Sequence, residues 1–227
     1  MQSDLDHLVV LAATLEDGQR WCERTLGLKP GPGGRHELMG THNRLLRIDS
    51  LAYPQGYLEI IAIEPGAPTQ RGPHQRRWFD LDDAELSGRI ARDGPALAHW
   101  VARTGDVRAA CSAWQRLGID RGPPLAAGRQ TPQGLLQWQI TVRDDGARLF
   151  DGCLPTLIEW GALHPVPAMA ECGLRLERLR VVHPQHRLLG QAAQAIGLRG
   201  LTVTGDGSAR LEALLQTPAG PVLLASA

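Results

Sequence analysis

Apolar positions along this chain follow two different spacings, and the switches between them predict its elements. Residues 5–12 (LDHLVVLA) are short, apolar and β-branched, as a strand requires. Residues 14–26 take helical spacing, with Thr14 placed as the N-cap, Asp17 three residues on and Gly27 at the end. A glycine/proline turn is expected at 30–34, a strand at 43–48, a turn at 53–56 and a strand at 57–63.

The same order returns further on. Residues 96–102 read as a strand, and Asp106 is placed to cap a helix carrying Val107, Ala110, Trp114 and Leu117. Leu117-Gly118-Ile119 ends that helix, and strands follow near 135–142 and 157–160. In order, His7 aligns with His99, Trp21 with Trp114, Leu26-Gly27-Leu28 with Leu117-Gly118-Ile119, and Glu59 with Glu159. A third, weaker copy has a strand at 174–182, a helix at 186–196 and strands at 201–204, 209–216 and 222–225. Its turns fall at Asp206-Gly207 and Ala219-Gly220, and its last strand has no carboxylate. The expected fold class is α+β, built from repeated βαβββ modules. Residues 1–64 and 96–164 form the first two, 65–95 connect them through a short helix near 80–91 capped by Asp80 or Asp82, and 165–227 form a degenerate third.

Composition narrows the setting. The 227 residues are 43% hydrophobic and 21% charged, ordinary for a globular chain, and the formal net charge of +0 supplies no field to draw in nucleic acid or an anionic membrane. No apolar run approaches the ~20 residues of a membrane span. Cys22, Cys111, Cys153 and Cys172 form no CxxC pair and sit in apolar or helical stretches, which fits free thiols and a cytoplasmic protein.

Candidate chemistry lies inside the strands. Glu59 interrupts YLEIIAI on the face of Ile61 and Ile63, and Glu159 interrupts LIEW. His7 shares a face with Leu5, Val9 and Leu11, and His99 with Leu97 and Val101. One imidazole and one carboxylate from each of two equivalent modules suit a divalent transition metal such as Zn, Ni, Fe, Mn or Co. The bland alternative is two core histidines and two carboxylates at strand edges or paired with arginines. In GGRHELMGTHNRLL, Thr41 and Asn43 alternate with His42 and Arg44, and Arg35 and His36 stand at the end of the glycine pair. If Thr41 and Asn43 face inward they are substrate contacts, with His36 and Arg35 at the rim. Gln137 and Gln139 share a strand face and are candidates for the second half of the same cavity. The Arg71, Arg76, Arg77 and His74 cluster reads as a solvated surface, and His183 and His186 as caps or surface residues.

The strand-helix-strand order with His on the first strand and Glu on the last resembles the vicinal oxygen chelate superfamily, which includes glyoxalase I and extradiol dioxygenases. LDHLV, GGRH, GTHNRL and YLEI, with LPTLIEW followed by His164-Pro165, are similar to its glyoxalase-like domain family over about residues 5–164. That resemblance implies curved sheets, two modules enclosing a cavity, and metal ligands at His7, Glu59, His99 and Glu159. In the narrower family the position matched by His99 is often not a ligand. A metal-assisted lyase or isomerase acting on a small oxygenated substrate is then expected, with Glu159 as the base. Two rivals are a metal-free protein that sequesters a small molecule, and an extradiol-type dioxygenase using His7, His99 and Glu159. A homodimer is compatible with the third copy pairing across chains.

Overall fold

The computed structural model describes residues 2–205 and 207–226; the expected turn residue Asp206 lies outside them. The first module contains β1 (Ser3–Leu11), α1 (Leu15–Leu26), β2 (Gly31–His36), β3 (Thr41–Arg47) and β4 (Tyr57–Ile63). After α2 (Ala84–Asp93), the second contains β5 (Ala96–Thr104), α3 (Val107–Gln115), β6 (Pro124–Thr131), β7 (Gly134–Thr141) and β8 (Thr156–Trp160). The third contains β9 (Arg175–Val182), α4 (His186–Ala195), β10 (Leu201–Thr204), β11 (Arg210–Thr217) and β12 (Gly220–Ala225). Each module is therefore βαβββ. Two strands differ from the sequence reading. Residues 30–34, expected as a turn, open the edge strand β2, and β6 has too little alternation to show in the sequence.

Local chemistry sets the helix boundaries. Thr14 accepts from the Asp17 N–H and Asp106 from the Ala109 N–H, as expected. The cap of α2 is Asp83, neither Asp80 nor Asp82. Asp80 instead binds the Arg148 guanidinium at 2.9 Å, and Asp82 binds Arg77 at 2.6 Å. Arg71 is buried and reaches Asp144 at 3.2 Å, so the arginine cluster helps tie the connecting segment down. The residue at the cap position of α4 is Gln185, and His183, expected as a cap or surface residue, is buried just before it, with its Nδ1 accepting the Gln185 N–H.

Modules one and two share one eight-stranded sheet in the order β2-β3-β4-β1-β5-β8-β7-β6. β1 and β5 pair antiparallel at its centre, and each pairs parallel with the last strand of its own module. The sheet curls until the Arg129 guanidinium of β6 reaches Gly34 of β2, where a Cβ would collide with it. Alternation sends Val9, Ile61, Val101, Trp138 and Ile158 into the concave side, with Trp78 and Phe79 from the connecting segment. Leu8, Ile60, Trp100 and Leu157 point the other way.

The third module covers that outer side. Its sheet, β10-β9-β11-β12, contributes Leu176, Leu179, Val181 and Leu215 to the same core as Trp100 and Trp114. Trp114 donates to the Ala192 carbonyl at 2.8 Å, and Tyr53 Oη donates to the Gly200 carbonyl at 2.6 Å while accepting from the Leu179 N–H. The third repeat thus docks on the first two within one chain. All four cysteines are free thiols. Burial pushes Cys22 up to about 12 and Cys153 up to about 11, so both are inert as nucleophiles at neutral pH. Among the described residues no helix is long and apolar enough to cross a membrane.

Candidate active site

Paired β-bulges aim the central strands. On β1 the register passes from Leu5↔Ala102 to His7↔Val101, leaving Asp6 as an extra residue. On β5 it passes from Val9↔His99 to Val10↔Leu97, leaving Ala98 as the extra residue. The two bulges are equivalent under the pseudo-two-fold that carries His7 onto His99. The same operation carries the pair Val9↔Glu59 onto Val101↔Thr156. Thr156, three residues before Glu159, therefore stands where Glu59 stands in the first module.

In the first half-site the bulge turns Asp6 and His7 to the same side, which simple alternation forbids. Asp6 is fully buried and accepts from His7 Nδ1 at 2.7 Å, Trp160 Nε1 at 2.8 Å and His164 Nε2 at 3.1 Å. His7 stacks on Tyr57 and presents Nε2 to Glu59 Oε2 at 3.5 Å. Asn43 donates to Glu59 Oε1 at 2.6 Å, and its second N–H faces His36 Nε2 at 3.4 Å. His36 Nδ1 lies 3.1 Å from Thr41 Oγ1.

The glycine pair explains how β2 joins this array. The β2–β3 register skips between Pro32 and Arg35, so Gly33 and Gly34 bulge over Asn43. A Cβ on Gly33 would collide with the Asn43 carbonyl and Oδ1, and the Gly34 N–H donates to that Oδ1 at 2.7 Å. The Asn43 amide is pinned by this bond, with its NH₂ toward Glu59 and His36.

Charge follows from the geometry. Burial pulls the His7 pKa down, but the hydrogen bonds and charges of Asp6 and Glu59 outweigh it and raise it to about 9. Burial pushes Asp6 up, and bonds from His164 and His7 more than reverse this, leaving it well below the carboxylate range. Glu59 is likewise lowered: burial opposes, and the His7 bond and charge prevail. Burial pushes His36 down to about 4; Glu59 opposes this, and Arg129 adds to it. An imidazolium and a neutral imidazole thus flank one carboxylate.

The second half-site is filled. His99 Nδ1 lies 3.1 Å from the Gly152 carbonyl, and Nε2 accepts the Thr156 N–H at 3.2 Å. Arg121 is buried beside it, bonding the Pro155 carbonyl and Thr156 Oγ1. Burial and the neighbouring Arg121 and Arg148 charges hold His99 well below its usual pKa. The Asp6 equivalent is Ala98, so the carboxylate that holds His7 has no counterpart at this position. Glu159 lies on the opposite face of β8, beside Leu157, where Oε2 accepts the Val107 N–H at 2.8 Å and caps α3. Replacing it, Glu159→Gln, should cost only roughly 0.3–1 kcal/mol in urea denaturation, the loss of one charge at a helix N-terminus.

His7 and Glu59 converge, but His99 Nδ1 faces the Gly152 carbonyl, its Nε2 faces the Thr156 N–H and Arg121, and Glu159 faces away, so the four side chains do not form one ligand sphere. Among the described residues no three His, Cys, Asp or Glu side chains are arranged to hold a metal ion. The dioxygenase triad of His7, His99 and Glu159 fails for the same reason.

Of the expected substrate contacts, Asn43 reaches the pocket, while Thr41 is fully buried behind His36. His36, expected at the rim, lies inside. Arg35 is 75% exposed and pairs with Glu64 at 2.6 Å. Gln137 and Gln139 lie on the outer face of β7; Leu136, Trp138 and Ile140 form the wall instead. Alternation did not reveal Asp6 or Arg129, although a carboxylate in LDHLVV was a visible anomaly.

An inner pocket of about 30 Å³ lies against His7, His36, Asn43 and Glu59. It opens into a groove of about 1520 Å³ between β2 and the β6–β7 hairpin, with His36, Trp138 and Arg129 on the shared wall.

The sequence matches a family model described as a glyoxalase-like domain over residues 5–207. No curated protein matches the chain. A hypothetical protein from Staphylococcus aureus superposes with TM-score 0.60 at 15% identity, covering 92% of this chain and 88% of that one. A methylmalonyl-CoA epimerase from Streptomyces coelicolor bound to 2-nitronate-propionyl-CoA gives TM-score 0.42 at 18% identity, over 70% and 96% of the two chains. A 4-hydroxymandelate synthase variant from the same organism gives 0.47 at 14% identity, over 99% and 62%.

Proposed function

This chain belongs to the glyoxalase-like domain family of the vicinal oxygen chelate superfamily, and from that premise we propose that it moves a proton next to a carbonyl group of a small oxygenated substrate, as an isomerase or lyase does. The observation that carries the reading is the buried chain Asp6–His7–Glu59–Asn43–His36 at the end of an open groove.

Glu59 is the base. Among the described residues it is the one carboxylate bordering the inner pocket, and Asn43 fixes its orientation. The substrate C–H proton passes to its free lone pair, and the C–H electron pair moves onto the carbonyl oxygen. That oxygen accepts a hydrogen bond from His7 Nε2–H, whose positive charge is held by Asp6 behind it. Return of the proton to the same carbon or its neighbour restores Glu59 and needs no oxidant. His36 contributes no charge and acts with Thr41 and Asn43 to position Glu59. Since the expected metal ligands do not converge, no step is routed through a metal.

The test is hydrogen exchange. In D₂O with a panel of 2-oxo and 2-hydroxy carbonyl compounds, the protein should introduce deuterium beside the carbonyl, read by ¹H NMR. Glu159→Gln should exchange at the wild-type rate. Binding of panel compounds without exchange would identify the sequestering protein instead, and loss of exchange in Glu159→Gln would return the base to that residue.

A further inference from the structure

We infer that Arg129 is an anchor for a carboxylate and that the groove takes an apolar tail, so that the ligand of this site is an amphiphilic organic acid. The inference rests on the reading of the pocket above and names its substrate class.

Arg129 lies on β6 opposite Leu136 in the β6–β7 register, and Leu136 is a buried wall residue. Directly paired residues share a face of a sheet, so Arg129 points into the concave side. Its Nη1 is fully buried and lacks a hydrogen-bond partner among the described residues. Nη1 is covered by the Gly34 backbone, so the guanidinium carries its charge with one N–H unmatched, and an anion meeting the part of Arg129 that lines the pocket offsets that cost. The guanidinium lies across the Gly34 backbone, where any side chain would displace it. Arg129 lines both the inner pocket and the groove, and its charge reaches His36 and Tyr57. It therefore sits at the junction between the space for the reacting group and the space for the remainder.

Charge and shape choose the ligand. Arg35 also borders the groove but is paired with Glu64, leaving Arg129 as the cation to be matched. One guanidinium facing a site that already holds Glu59 suits a monoanion better than a phosphate dianion. The inner pocket admits little more than a carbonyl-sized group, so the bulk of a substrate must occupy the groove. Two of the chain's exposed large apolar side chains, Leu135 at 52% and Leu163 at 36%, line that groove with Met169. Their exposure is explained by an apolar tail laid along them.

The test uses decanoate, decyl phosphate and 1-decanol as probes, with the fluorescence of the groove residue Trp138 and calorimetry as readouts. Decanoate should bind at least tenfold more tightly than decanol and more tightly than decyl phosphate, and added salt should weaken it. Arg129→Gln should raise the decanoate Kd at least tenfold and leave the decanol Kd unchanged, with Arg129→Lys in between. Equal affinity for decanoate and decanol, preference for decyl phosphate, or an unchanged decanoate Kd in Arg129→Gln would each overturn the inference. Glu59→Gln should still bind decanoate, so failure of binding is separated from failure of proton transfer.

Discussion

Asp6→Ala is expected to cost about 3–5 kcal/mol of folding stability, the range for removing one partner of a buried charge pair. Asp6 is fully buried and accepts from three donors, so truncation strands His7, the Trp160 indole and His164 together. Asp6→Asn keeps the shape and removes the charge, and separates the electrostatic part. The pH dependence supplies its signature. His7 has a folded pKa near 9 against 6.5 for the free side chain, so its contribution is complete below pH 6.5 and is lost as pH rises through 9. His36 has the opposite sign: its folded value near 4 withdraws stability as pH falls from 6.5 toward 4. Urea denaturation from pH 6 to 10 should show the alkaline decline in the wild type and a flatter profile in Asp6→Asn. A cost under about 1 kcal/mol for Asp6→Ala would mean that Asp6 is not the charge holding His7.

Glu59→Gln should lower the rate of exchange beside the carbonyl by about 10²–10⁴-fold, the usual worth of a positioned general base. Glutamine retains an oxygen and an amide near Asn43 and His7, so the pocket shape survives and the loss falls on proton acceptance. In the wild type the rate should fall on the acid side as Glu59 is protonated, below the ordinary carboxylate pKa because the His7 bond and charge overcome burial. It should fall on the alkaline side as His7 loses its proton near pH 9. A rate within threefold of wild type in Glu59→Gln would remove Glu59 as the base.

Much of this was readable from the chain. The strand-helix-strand order, the three repeats and the caps at Thr14 and Asp106 came from spacing and short-range chemistry, which the fold preserves. His7 and Glu59 were visible because charged groups inside apolar strands demand partners. Glu159 looked equivalent because it too interrupts an apolar strand. A strand's faces are set by pairing register, however, and that register puts Thr156 at the equivalent place. Asp6 was hidden by its bulge, since period-two alternation assigns residues 6 and 7 to opposite faces. The word GGRHELMGTHNRLL concealed a bulged edge strand, because glycines that permit close approach look like glycines that permit a turn. Arg129 was out of reach because β6 (PLAAGRQT) alternates too weakly to be recognised as a strand.

The central claim is that chemistry is confined to the first half-site, with His7 charged, His36 neutral and His99 structural. Nitrogen-15 NMR of the histidine side chains, recorded from pH 4 to 10, tests it directly. The account predicts that His7 is doubly protonated at pH 7.5 and titrates near 9, that His36 stays neutral down to about 4, and that His99 does not protonate across the native range. Titration of His7 near 6.5, or a protonated His99 at pH 7.5, would contradict it.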